Sequence, residues 1–141
     1  MIIAIDFDGT IVEHKYPEIG KERPFATATL RQLIRDGHKL ILWSVREGEL
    51  LEEAVRWCAD RDVRFHAVNC DIDEDTSDKN GSVHFSRKVK AHLFVDDRNL
   101  GGLPDWGTIY QLISQRMSYE EFLSKQQGES PRRRKKSWWP F

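Results

Sequence analysis

Asp6 and Asp8 stand one residue apart at the end of the apolar run Ile2-Ile3-Ala4-Ile5, and a second acidic pair, Asp96-Asp97, ends the run Leu93-Phe94-Val95. Alternation along an extended strand predicts that Asp6 and Asp8 point to the same side. Two carboxylates in so small a volume repel one another unless a proton or a cation is shared. A lone Asp-x-Asp also serves to cap the loop that follows it, so the second pair carries the argument. If both runs are parallel strands of one sheet, their acidic ends reach the same edge, and up to four carboxylates surround one point. An oxygen-only set without His or Cys suits Mg²⁺, which takes a few carboxylates and completes its shell with water and substrate phosphate.

Two further residues supply what a phosphate needs. Ser44 closes the run His38 to Ser44 and opens a loop into a helix, where a hydroxyl and backbone N–H groups hold phosphoryl oxygens. Lys88 precedes the strand bearing Asp96 and brings an ammonium to the same edge, with Lys90 as a rival for that role. Singly, such a Ser is a helix cap and such a Lys a solvated charge. Together with the acidic pairs they outline a site of one metal, one hydroxyl and one cation.

These residues need a scaffold of buried parallel strands, and the chain has one. Residues 2–7 form a continuous apolar run ending in acid, the pattern of a strand covered on both faces. Pro24 is placed for the first turn of a helix running to about Asp36, with Ala26, Leu30, Leu33 and Ile34 at helical spacing and Gly37 to end it. A second strand over 38–44 precedes a helix marked by Leu51, Ala54, Val55 and Cys58. Residues 65–69 read as a third strand, 71–82 as an acidic loop and 92–95 as a fourth strand. Ile109, Leu112, Ile113 and Met117 mark another helix, and Ser118 to Glu121 form a capping box opening a last one. Alternating strands and helices predict an α/β fold, a Rossmann-like three-layer sandwich around a central parallel sheet, over residues 1–128.

In this order the motifs resemble those of the haloacid dehalogenase (HAD) superfamily, over roughly residues 2–105. The first is matched by Asp6-Phe7-Asp8-Gly9-Thr10, the second by Ser44 after Ile41-Leu42-Trp43, the third by Lys88 and the fourth by Asp96-Asp97. The resemblance implies a Mg²⁺-dependent phosphatase in which Asp6 attacks phosphorus and is transiently phosphorylated. Asp8 would protonate the leaving oxygen and then activate water, while its backbone carbonyl, with Asp6 and Asp96 or Asp97, would hold the metal. Thr10, Ser44 and Lys88 would face the phosphoryl group. Dehalogenase branches lack the second acid of the first motif, so Asp8 favours phosphate ester chemistry.

Cap domains in this superfamily are inserted after the first motif or before the third. The corresponding stretches here, 10–23 and 71–86, are too short for a domain. The chain therefore resembles a capless member, whose open site admits large substrates or is covered by a neighbouring copy. Arg46, two residues after Ser44, resembles the second motif of the phosphatase domain of polynucleotide kinase-phosphatases, which implies a phosphorylated small molecule or a nucleic-acid 3′ end as substrate. Arg46 either grips phosphate bidentately or pairs with Glu47 or Glu49.

The 141 residues are 32% charged and 39% hydrophobic with a formal charge of −1, and no apolar run approaches the roughly 20 residues that span a bilayer. Residues 129–141 form a basic tail ending in aromatics, and Arg132 to Lys136 supply five of the 22 basic residues. Without them the body has 17 basic residues against 23 acidic ones, so any contact with a polyanion is confined to the tail. The N-terminus reads as a strand rather than a secretion signal. Cys58 and Cys70 read as reduced core thiols, together predicting a cytoplasmic protein. Two other readings share these residues: a catalytically silent HAD-like binding module, and a signalling receiver domain. In a receiver the Ser follows a later strand than the one ending at Ser44.

Overall fold

The computed structural model describes residues 1–72 and 86–128. The predicted 71–82 loop falls largely outside the described residues, and the tail over 129–141 wholly so. Two compact units divide the chain, Met1–Leu103 and Pro104–Phe141.

The first unit is built on four parallel strands, β1 (Ile2–Ile5), β2 (Lys39–Leu42), β3 (Ala67–Val68) and β4 (Leu93–Val95), in the order β3-β2-β1-β4. Helix α1 (Ala26–Arg35) joins β1 to β2, and α2 (Gly48–Asp60) joins β2 to β3. The chain is thus α/β with an all-parallel central sheet, as the alternating pattern predicts. Ile3, Ile5, Leu40, Ile41 and Leu42 are completely buried, which is why these strands read as unbroken apolar runs. One face packs Ile2, Ala4 and Ile41 with Ile72 and Val89, supported by Trp43, Ala67, Ala91 and Phe94. The strand order reverses at β1, which has β2 on one side and β4 on the other. In such sheets a crevice opens outside the carboxyl ends at this point.

Three histidines lie immediately before strands. The parallel ladder leaves an N–H near the start of β1 and of β2 without a carbonyl opposite, and in both places imidazole fills the gap. His92 donates its backbone N–H to the Ile2 carbonyl (2.8 Å) and accepts the Ile2 N–H at Nδ1 (2.8 Å). His66 does the same with Leu40, at 2.8 Å and 3.3 Å. His38 Nδ1 lies 3.0 Å from the N-terminal ammonium.

Helix α1 ends as predicted. Asp36 is the cap, Gly37 adopts φ 91°, and the N–H groups of Gly37 and His38 return to the carbonyls of Ile34 and Leu33, the double bond of a Schellman motif. Its start differs from expectation. Pro24 lies outside the first turn, and Phe25 is the N-cap, left-handed at φ 65° and exposed. Because Phe25 has no capping side chain, the Glu22 carboxylate takes that role, accepting from the Thr27 N–H (2.9 Å) and hydroxyl.

The second unit holds α3 (Trp106–Ser114) and α4 (Tyr119–Gln126). Asp105 caps α3 through the Thr108 N–H (3.0 Å), and the predicted capping box at Ser118 and Glu121 is present in both directions. Met117 is buried but lies beyond α3, which Arg116 ends in a left-handed conformation at φ 50°.

Both cysteines are free. Cys58 is buried, and that burial pushes its thiol up to about 12. Cys70 is exposed, against the expectation of a core thiol, because β3 ends at Val68 and the chain turns outward at Asn69 with φ 52°. No helix among the described residues is long and apolar enough to cross a membrane.

Candidate metal centre

Strand β1 delivers Asp6 just past its last residue, and β4 delivers Asp96 and Asp97 in the same way. Pairing of Ile5 with Val95, and the bond from the Asp6 N–H to the Val95 carbonyl (2.9 Å), bring the strand ends side by side. Asp6, Asp96 and Asp97 each offer an oxygen within 4.8 Å of the others, and all three are half-buried. Burial, followed by the hydrogen bond with Asp97 and the charge of Asp96, pushes the Asp6 carboxyl up to about 7. Thr10 and the Phe7 N–H pull it the other way. Three crowded carboxylates are costly unless a proton or a cation lies among them, and an all-oxygen donor set fits Mg²⁺.

A tight turn builds the floor of this cluster. The Ile11 N–H returns to the Phe7 carbonyl (2.9 Å) and the Gly9 N–H to that of Val12 (2.7 Å). Gly9 adopts φ +85°, and a Cβ there would meet Asp97 Oδ2 at 2.2 Å, so only glycine lets Asp97 approach. Arg23 steadies the turn by donating to the Gly9 carbonyl (3.0 Å).

Thr10, which the resemblance assigns to substrate, is completely buried and serves the carboxylates instead. Its hydroxyl lies 3.0 Å from Asp6 Oδ2 and 3.3 Å from Asp97 Oδ1, and it accepts the Asp97 N–H at 3.0 Å. The Thr10 hydroxyl thus links the two strand ends.

Asp8 departs from expectation: its carboxylate is not among the clustered three. Strand β1 ends at Ile5 and the turn begins at Phe7, so strand alternation no longer governs where residue 8 points. Asp8 is buried against Arg46, which donates Nε to Oδ2 and Nη2 to Oδ1, both at 2.7 Å.

The same contacts correct the pairing expected of Arg46. It is completely buried and pairs with Asp8 rather than with Glu47 or Glu49. Its other bonds run from Nη2 to the Glu18 carbonyl (3.0 Å) and from Nη1 to those of Pro17 (3.1 Å) and Leu50 (3.4 Å). A guanidinium has five N–H donors, and five bonds use them. The rings of Phe7 and Tyr16 lie over it at 5.2 Å and 5.3 Å.

Ser44 ends up at the expected edge, since the Trp43 N–H still bonds the Ile5 carbonyl (2.9 Å). Asn69 fastens it, accepting the Ser44 N–H (2.7 Å) and donating to its carbonyl (2.8 Å). Sequence reasoning missed Asn69, although a polar amide directly after a short apolar strand was the available signal. The Ser44 hydroxyl accepts the Arg46 N–H (3.1 Å), which leaves its own proton free to donate. Lys88 is exposed, with its ammonium 5.1 Å from the centre of the Phe94 ring on β4. Lys90 is also exposed, its backbone N–H bound to Asp71 Oδ1.

No protein-family model and no curated protein matches the chain. Among solved structures, a conserved protein from Bacteroides thetaiotaomicron is 54% identical, with a TM-score of 0.78. The match covers 86% of this chain and 96% of that one. At that identity and coverage, the chain belongs to the same family as this conserved Bacteroides protein.

Proposed function

We propose that the protein is a Mg²⁺-dependent phosphomonoester hydrolase of the HAD type, a Rossmann-like sandwich without a cap domain. The observation that carries this reading is the group of three carboxylates, Asp6, Asp96 and Asp97, at the carboxyl edge of a parallel sheet. The ion would be held by these three, where it would neutralise phosphate charge that otherwise repels them.

In this reading a carboxylate oxygen of Asp6 bonds to phosphorus as the ester bond breaks, and the leaving oxygen takes the proton that Asp8 carries when substrate is bound, held on a lone pair the guanidinium leaves open. Water then attacks the aspartyl phosphate and gives its proton to Asp8, releasing inorganic phosphate and restoring both side chains. Asp8 keeps the means to exchange a proton while bound to Arg46, because a carboxylate has about four lone-pair sites and the guanidinium occupies two. The Ser44 hydroxyl holds a phosphoryl oxygen, and Lys88 supplies the countercharge.

The substrate is a phosphorylated small molecule or a nucleic-acid 3′ end. Arg46 lends the second no support, since its donors are spent within the protein. The short 11–23 loop follows Asp6 and Asp8, and its base is closed by the Glu13 N–H on the Lys21 carbonyl (2.8 Å) and the Arg23 N–H on that of Ile11 (2.9 Å). A site without a cap domain suits a large substrate or a covering second copy.

Hydrolysis of a generic aryl phosphate, followed in Mg²⁺ and in chelator, tests the proposal. Turnover in Mg²⁺ that disappears with chelator is the expected result. Equal rates in both would refute it.

A further inference from the structure

We infer that Arg46 is a positioning residue that fixes the proton-exchanging carboxylate of Asp8 and ties it to the loop beside the site; this rests on the phosphatase reading. The two are 38 residues apart in sequence, yet each Asp8 oxygen faces its own nitrogen of the guanidinium at 2.7 Å. A two-point contact of this kind removes rotation about the last bond of the Asp8 side chain, which a single donor would leave free. Only arginine presents donors in a planar fork matched to a carboxylate.

Arg46 is itself held from every side. The carbonyls of Pro17 and Glu18 anchor it to the loop, that of Leu50 to the first turn of α2, and the rings of Phe7 and Tyr16 flank its plane. Movement of the loop at 16–18 is therefore transmitted to Asp8. Stability is a weak reason for such a pair, because desolvating a buried guanidinium and its carboxyl partner largely offsets their attraction. Its position does explain it. Asp8 lies two residues beyond Asp6, and a misplacement of about 1 Å at a reacting group costs roughly 100-fold in rate.

The test is a double-mutant cycle on aryl phosphate turnover with Mg²⁺, comparing wild type, Arg46→Lys, Asp8→Asn and both together. Arg46→Lys keeps the charge and loses the fork. It should lower kcat by about 100-fold with KM changed less than about twofold, and it should cost almost nothing further once Asp8 is Asn. Equal losses in both backgrounds would show that Arg46 does not act through Asp8. A raised KM at unchanged kcat would mean that it binds phosphate after all. If Arg46→Lys does not fold, Arg46→Gln with Asp8→Asn restores a neutral hydrogen-bonded pair and is compared with Asp8→Asn alone; a further drop in kcat again overturns the inference. An inactive wild type rejects the phosphatase reading, and the role of Arg46 with it, whereas an active wild type with additive losses rejects Arg46 alone.

Discussion

Gly9 leaves no room for a side chain beside Asp97, and a single methyl group tests it. Gly9→Ala would place a Cβ 2.2 Å from Asp97 Oδ2 at a φ of +85°, so Asp97 must move. Calorimetry should show Mg²⁺ affinity lowered by tenfold or more, on the order of 1.4 kcal/mol; unchanged affinity would mean that Asp97 is not a ligand. Asp6 gives a second handle. Its carboxyl is pushed from 3.8 to about 7, so between these values the folded protein holds a proton that the unfolded chain has released. The metal-free protein therefore loses stability as pH rises from about 4 to 7, and levels off above that. Thermal midpoints in chelator at pH 5 and pH 8 should show this fall, Asp6→Asn should lack it, and Mg²⁺ should recover most of the loss at pH 8. An equal slope in Asp6→Asn would assign the effect elsewhere.

Elements at the carboxyl edge of the sheet were legible because their logic is local. An apolar run ending in acid is a buried strand with a charged tip, and parallel neighbours share an edge, so Asp6, Asp96 and Asp97 could be brought together by pattern alone. Arg46 and Asp8 were not legible in this way. Their contact depends on a turn starting at Phe7, which ends strand alternation, and on a partner 38 residues away. The histidines were hidden for a different reason, since a His before a strand looks solvated until the register puts it opposite an unpaired N–H. That role predicts a cost. His92→Ala removes the acceptor of the Ile2 N–H and should destabilise the protein by about 1–3 kcal/mol, seen as a lower denaturation midpoint with an unchanged slope. His14, exposed and in the loop, is the comparison, and its replacement by Ala should change little.

At the scale of the whole molecule, every residue of the candidate site lies in the first unit, while the basic run lies at the far end of the sequence. A protein ending at Ser130 should hydrolyse an aryl phosphate as fast as the full chain. If the five tail charges hold a polyanion, only a 3′-phosphorylated oligonucleotide should bind more weakly after truncation, with a flatter salt dependence. Unchanged oligonucleotide kinetics would remove the polyanion role. Where the phosphoryl group goes can be read directly. Wild-type protein turning over an aryl phosphate in Mg²⁺ is quenched in acid, digested and analysed by mass spectrometry for a phosphorylated carboxylate. Phosphate is expected on the peptide containing Asp6, at Asp6, absent in chelator and absent in Asp6→Asn. Phosphate on any other residue, or turnover that survives Asp6→Asn, would contradict Asp6 as the nucleophile.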